Sequence, residues 1–235
     1  MAWFDEYDFT SDPFRDSGDL YGLDKVLDEL IYRIESGSMV YIEGKTGSGK
    51  STVLRKIIEQ FGGRGKVIYF DCGQFDKKVN IENLMTGKYG FFGRLLKSTP
   101  KNMILLLDNT SSLSKKNCER VKYYFDNNFI KAVVFTGISY SRAHFSKSVR
   151  DRIGGRVIRL QDLSPEQAVE AVNSKAPGQT LLSPEVIKKT FKASGSNTKE
   201  FLSNLSRLCE KAVNEGADKV SEKHLNELFG GMDGK

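Results

Sequence analysis

Residues 44–51 read GKTGSGKS and satisfy the phosphate-binding pattern G-x-x-x-x-G-K-[ST] at every fixed position. Each residue type has a chemical task. Gly44, Gly47 and Gly49 let the main chain turn tightly and aim its N–H groups at phosphate oxygens. Lys50 reaches the β- and γ-phosphates, and the Ser51 hydroxyl is a ligand for Mg²⁺. Lys45, Thr46, Ser48 and Thr52 complete the predicted nucleotide-contacting set. Such a site also needs a carboxylate at the end of a neighbouring strand to hold Mg²⁺ through water. Asp108, carried by the apolar run Met103–Leu107, fits that place, so Ser51 and Asp108 form the candidate metal pair. Asn109 follows; its amide cannot accept a proton at neutral pH, although it can hydrogen-bond a water or a neighbour. Thr136 and Ser139, at the end of another apolar run, are candidates to sense the γ-phosphate. Arg150 and Arg152, with Arg156 behind them, either present a guanidinium to a neighbouring subunit's nucleotide or are solvated surface arginines.

The elements that would position these residues are legible around them. A short apolar run, Ser38–Glu43, precedes the glycine loop, and residues 52–61 follow it with helical spacing. Strand, loop and helix N-terminus in that order hold anions on the helix dipole. Further strand candidates are 66–70, 103–107, 131–136 and 156–160, all apolar runs without clean alternation, as in a sheet covered on both faces. Helical stretches are expected at 51–61, 81–97 and 115–128. The pattern predicts a P-loop three-layer α/β domain with a five-stranded parallel sheet over residues 20–162. Beyond it, residues 163–229 read as a small all-helical domain with helices at 165–174, 184–193, 197–214 and 221–229. Ser164 and Ser183 each precede a Pro-Glu pair, which supplies an N-cap, a proline at the first helical position and an acid in the first turn. Residues 1–19 form an acidic N-terminal segment, and 230–235 a flexible tail.

Composition narrows the class. Hydrophobic residues make up 39% of the 235 and charged residues 28%, which suits a soluble globular protein. No apolar run approaches 20 residues, so no membrane insertion is expected. The acidic, aromatic opening is wrong for a targeting peptide. Cys72, Cys118 and Cys209 are isolated and odd in number, as reduced thiols in a cytoplasmic protein would be. Two histidines exclude a histidine-rich metal site. Residues 1–30 hold nine acidic and two basic side chains, a net of −7 in a chain of net +6, which leaves about +13 for residues 31–235. A body this basic suits an anionic partner such as nucleic acid.

Taken together, the chain resembles an AAA+ P-loop ATPase over about residues 12–228. Within that class it is most similar to the replication-initiator group (origin-recognition and cell-division-cycle ATPases) and to the ExeA, MuB and TnsC group. Asp12–Phe14, Tyr21–Asp24 and a helix over Val26–Ile34 resemble the families' opening, which implies a place near the adenine. Val67–Cys72 is like their second strand. Ile158–Pro165 resembles the crossing into the helical lid. Ser194–Glu200 is similar to the lid segment that offers a sensor arginine, with Lys199 nearest that position. The resemblance implies ATP and Mg²⁺ as ligands, hydrolysis of ATP to ADP and phosphate, homo-oligomers joined through the nucleotide interface, and double-stranded DNA as a partner. Its departures are specific. Asn109 stands where these ATPases place a glutamate, so turnover is expected to be slow unless another acid serves, with Glu43 the less favoured substitute. Lys199 replaces the sensor arginine, and the chain ends just after the lid, without room for the initiators' winged helix.

The first expectation is therefore an ATP-binding protein whose nucleotide-dependent assembly acts on nucleic acid. Its catalytic set would be Lys50, Asp108, Asn109, Thr136, Arg150 and Arg152, and Lys77, Lys78, Lys115 and Lys116 would meet phosphates. The alternative is a nucleotide-gated protein-binding switch with little turnover and no nucleic-acid role, in which the acidic, aromatic N-terminus is a docking peptide. A small-molecule kinase is the third reading, disfavoured by the lid-like helices.

Overall fold

The apolar runs become five strands because both of their faces are covered. The computed structural model describes residues 2–7, 9–15, 22–62, 66–73 and 102–230. Its strands are β1 (Met39–Glu43), β2 (Val67–Asp71), β3 (Met103–Asp108), β4 (Ile130–Gly137) and β5 (Val157–Arg159). They form one sheet in the order β2-β3-β4-β1-β5, with every pairing parallel. On one face, Met39, Tyr41, Leu105, Leu107, Val133 and Phe135 pack with Cys118 and Val121 of α3 (Lys115–Asp126) and with Val149 and Ile153 of α4 (Lys147–Ile153). The alternate residues Val40 and Ile42 are equally buried on the other face. There α1 (Asp24–Glu35) lies on β1 and β4, and α2 (Lys50–Gln60) on β3. That is the predicted three-layer α/β fold with a five-stranded parallel sheet.

The helix expected at 81–97, with Lys77 and Lys78, lies outside the described residues. The arginine-rich stretch was expected only as a cluster, and it is a helix, α4. Ser146 caps it by accepting from the Val149 N–H at 3.3 Å.

The chain divides into two compact units. One comprises Leu23–Lys45 and Lys50–Leu160; the other comprises Met1–Gly22, Thr46–Gly49 and Gln161–Lys235. The second is helical, with α5 (Pro165–Lys175), α6 (Pro184–Ala193), α7 (Thr198–Asn214) and α8 (Glu222–Phe229). The serine caps act as expected. Ser164 accepts from the Gln167 N–H at 3.1 Å while the Gln167 side chain takes the Ser164 N–H at 2.8 Å, a reciprocal capping box. Ser183 accepts from the Val186 N–H at 3.3 Å. Phe191 and Phe201 meet edge to face at 5.1 Å in a core with Val172, Ile187, Leu205 and Leu208. The N-terminal segment belongs to that core. Trp3 and Phe14 are 3% and 2% exposed and stack at 5.3 Å, and the Ser206 hydroxyl donates to the Asp12 carboxylate. Buried in this way, the two rings have no face to offer a docking partner.

Candidate nucleotide site

The site begins where β1 ends. The Gly44 N–H donates to the Gly137 carbonyl at 3.1 Å, extending the β1–β4 ladder by one residue, and the helix α2 opens at Lys50. Lys50 is only 7% exposed. Its ammonium donates to the carbonyls of Gly44 (2.7 Å) and Lys45 (2.5 Å). An ammonium has three N–H donors, so the loop main chain aims the group and leaves a third donor for a ligand. Burial lowers the Lys50 pKa from its ordinary value, against the opposing pull of the Asp108 carboxylate.

Asp108 is the centre of the arrangement. It ends β3, is 1% exposed, and gathers hydroxyls from three separate segments. The Ser51 hydroxyl donates to Oδ2 at 2.6 Å, the Tyr69 hydroxyl to the same oxygen at 3.2 Å, and the Thr136 hydroxyl to Oδ1. The Asn109 N–H bonds both Asp108 Oδ1 (3.0 Å) and the Thr136 hydroxyl oxygen (3.1 Å). Tyr69 was not among the sequence candidates. Burial, and then the Asp108 and Asp71 carboxylates, push its phenol well above the usual range, so it stays a hydrogen-bond donor. Nothing in the local sequence marks it, because only the β2–β3 pairing brings it to Asp108.

Beyond Asp108 the chain turns sharply. Asn109 has φ 54° and ψ 49°, the left-handed region, which asparagine tolerates better than other side chains with a Cβ. Its amide Nδ2 donates to Asp71 Oδ1 at 2.9 Å, and the Gly73 N–H donates to that same oxygen at 2.9 Å. Parallel register pairs Asp71 with Asp108. Thr110 donates to the Thr136 carbonyl at 2.8 Å. Gly137 tolerates no side chain, since a Cβ there would stand 2.2 Å from the Tyr41 hydroxyl.

The other candidates are already engaged. Glu43 takes the Tyr140 N–H on Oε1 at 2.9 Å and pairs through Oε2 with Arg159 Nε at 2.8 Å, a poor situation for a general base. The Ser139 hydroxyl bonds that of Ser141 at 2.9 Å. Arg150 is held by the carbonyls of Tyr140, Ser141 and Ala143 at 3.2, 3.2 and 2.8 Å and lies over the Tyr140 ring at 5.0 Å. Arg152 pairs with Asp126 at 3.0 Å at the surface, and Arg156 donates to the Met39 and Arg152 carbonyls. Thr52 is half-buried in the first turn of α2, and Lys45 is exposed.

Thr46–Gly49 group with the helical unit. Within it, Gly47 has φ +82°, and a Cβ there would fall 1.9 Å from Asn197 Oδ1, so the position needs glycine for two reasons. The Ser48 hydroxyl is buried and has no hydrogen-bond partner among the described residues. Lys199 is exposed in the first turn of α7, where a cation opposes the helix dipole. The cysteines are unreactive by environment: burial pushes the Cys72 and Cys118 thiols up to about 12 and raises Cys209 as well.

These features fit a nucleotide and Mg²⁺. A spare lysine donor beside a hydroxyl–carboxylate pair is what a polyphosphate and its ion use. Among the described residues no cluster of three His, Cys, Asp or Glu side chains forms a site for a metal by itself.

No protein-family model and no curated protein matches the sequence. Solved structures do match in fold. The chain is similar to Cdc6p of Pyrobaculum aerophilum, at 15% identity and a TM-score of 0.71 over 93% of this chain and 70% of that one. It is similar to the Orc1 protein of Aeropyrum pernix, solved in complex with DNA, at 15% identity and a TM-score of 0.69 over 94% and 66%. Domain III of the replication initiation protein DnaA of Thermotoga maritima matches at 18% identity and a TM-score of 0.64, over 92% and 95%. The chain thus spans about two thirds of the first two proteins. Its fold is that of the initiator-like AAA+ P-loop ATPases.

Proposed function

We propose that the protein binds ATP with Mg²⁺ and hydrolyses it to ADP and phosphate, and that nucleotide occupancy controls its assembly on nucleic acid. One observation carries the first part: Ser51, Tyr69 and Thr136, from three separate segments, converge on the buried Asp108 carboxylate beside the aimed ammonium of Lys50. In this reading Gly44, Lys45, Thr46, Gly47, Ser48, Gly49, Lys50, Ser51 and Thr52 hold the phosphates. Ser51 and Asp108 hold Mg²⁺, which neutralises charge on the phosphate oxygens when bound. Thr136, tied to Asp108, orients the group that meets the γ-phosphate. Of the two arginines, Arg152 suits a contact in trans, because its surface pair with Asp126 is cheaply exchanged. Arg150 instead braces the loop after β4.

The nucleic-acid part rests on charge and on fold. Lys115 and Lys116 are exposed in the first turn of α3, against the helix dipole, an arrangement that suits phosphate better than helix stability. The DNA-bound Orc1 structure shares the fold. The nucleotide-gated switch remains the second reading because Asn109 offers no base. Phosphate release from ATP, with and without double-stranded DNA and beside Lys50→Ala, separates them. DNA-stimulated turnover lost in the variant supports the first reading, whereas tight binding without turnover supports the switch.

A further inference from the structure

We infer that Asp71 supplies the carboxylate that position 109 lacks, and that it receives the proton of the attacking water. The inference rests on the ATPase reading above. Three observations carry it. Asn109 sits in left-handed backbone, where asparagine or aspartate is accommodated far better than a longer side chain, so the turn itself disfavours a glutamate there. The same amide grips Asp71 Oδ1 at 2.9 Å, and the Gly73 N–H grips that oxygen from the other side at 2.9 Å. The carboxylate is therefore oriented by two donors on one oxygen. Its other oxygen, Oδ2, has no hydrogen bond among the described residues. Parallel register sets Asp71 beside Asp108, and the Cys72 N–H donates to the Asp108 carbonyl at 2.8 Å, so both acids share the C-terminal edge of the sheet. Glu43, the alternative acid, is occupied by Arg159 and the Tyr140 N–H.

The step balances without another reactant. The water oxygen bonds the γ-phosphorus, and the bond from that phosphorus to the β–γ bridging oxygen breaks. ADP leaves with the electron pair, and the water's proton passes to Asp71 Oδ2.

Asp71→Asn is a clean test, because an amide oxygen at Oδ1 keeps both hydrogen bonds while the basic oxygen is lost. With purified full-length protein, the expected loss of phosphate release is about 10²–10⁴-fold. ATP affinity by calorimetry should stay within about threefold of wild type, as expected for a group that acts on the transition state alone. Nucleotide retained by the variant should be recovered as ATP. The swap Asp71→Asn/Asn109→Asp, which moves the carboxylate across the same hydrogen bond, should regain part of the rate. A wild-type protein that hydrolyses ATP beside an Asp71→Asn variant of equal rate overturns this inference alone. A swap as inactive as Asp71→Asn also overturns it, because a carboxylate returned across the same hydrogen bond then restores nothing. Wild-type protein that binds ATP and never hydrolyses it overturns this inference together with the ATPase reading.

Discussion

The helical unit and the strand ends of the α/β unit both bury polar side chains, and they use them in opposite ways. Among the helices of the helical unit, buried polar groups are closed off in pairs. Thr190 donates to the Val186 carbonyl and Ser194 to the Thr190 carbonyl, both at 2.8 Å; Asn204 donates to the Ser194 hydroxyl at 3.0 Å, and Ser206 donates to Asp12. Two of these four bonds span a single helical turn, and the other two tie α7 to the end of α6 and to the N-terminal segment. At the strand ends, hydroxyls from residues 51, 69 and 136 meet one carboxylate, and a buried ammonium keeps a spare donor. A buried polar group raises the expectation of function when several separate segments converge on it and the capacity around it is not used up.

Substitutions sharpen that contrast. The largest effect is expected at Trp3→Ala, which empties a stacked position in the helical core. Urea denaturation should show a loss of about 3–5 kcal/mol. An unchanged midpoint would detach the N-terminal segment from that core. At the strand ends the expected pattern reverses. Lys50→Met should weaken ATP binding by about 1.5–3 kcal/mol, from a lost charge-assisted bond, while leaving the fold as stable or more so. Burial lowers the Lys50 pKa, so its charge opposes folding. That cost is fully present below the lowered value and fades as pH rises toward the ordinary lysine value. The stability gain of Lys50→Met should therefore be greatest near neutral pH and close under alkaline conditions. A variant that is destabilised and still binds ATP would break the comparison.

Smaller effects refine it. Ser206→Ala leaves the buried Asp12 carboxylate one donor short and should cost about 1–3 kcal/mol of stability, with calorimetric ATP affinity unmoved. Ser164→Ala removes a helix cap and should cost about 1 kcal/mol in the same denaturation measurement. Tyr69→Phe should change stability least, by about 0.5–1.5 kcal/mol for one hydrogen bond, yet shift the Mg²⁺ concentration needed for half-maximal ATP binding. An Mg²⁺ dependence identical to wild type would remove Tyr69 from the site.

Legibility followed the same division. The strands were readable because each is a contiguous apolar run, and the helices α5 and α6 because Ser164 and Ser183 announce their starts with proline and glutamate behind them. Helix α4 was missed because it is seven residues long and carries its charges on too few turns to show a face. The burial of Trp3 and Phe14 was missed because an acidic segment with aromatics has no period that tells core from docking peptide. The partners of Arg150, Arg152 and Glu43 were not legible, because their hydrogen bonds depend on loops whose course the residues do not announce.

By itself the sequence determined the glycine-rich loop, its flanking strand and helix, and the acid at the end of β3. These are local patterns, in which neighbouring residues set backbone geometry directly. Only the tertiary structure decided that Tyr69 and Asp71 stand beside Asp108 and Asn109, and that Glu43 does not. Those neighbours follow from the strand order β2-β3-β4-β1-β5 and its register, which arise from packing two faces of a whole sheet. No window of the chain contains that information.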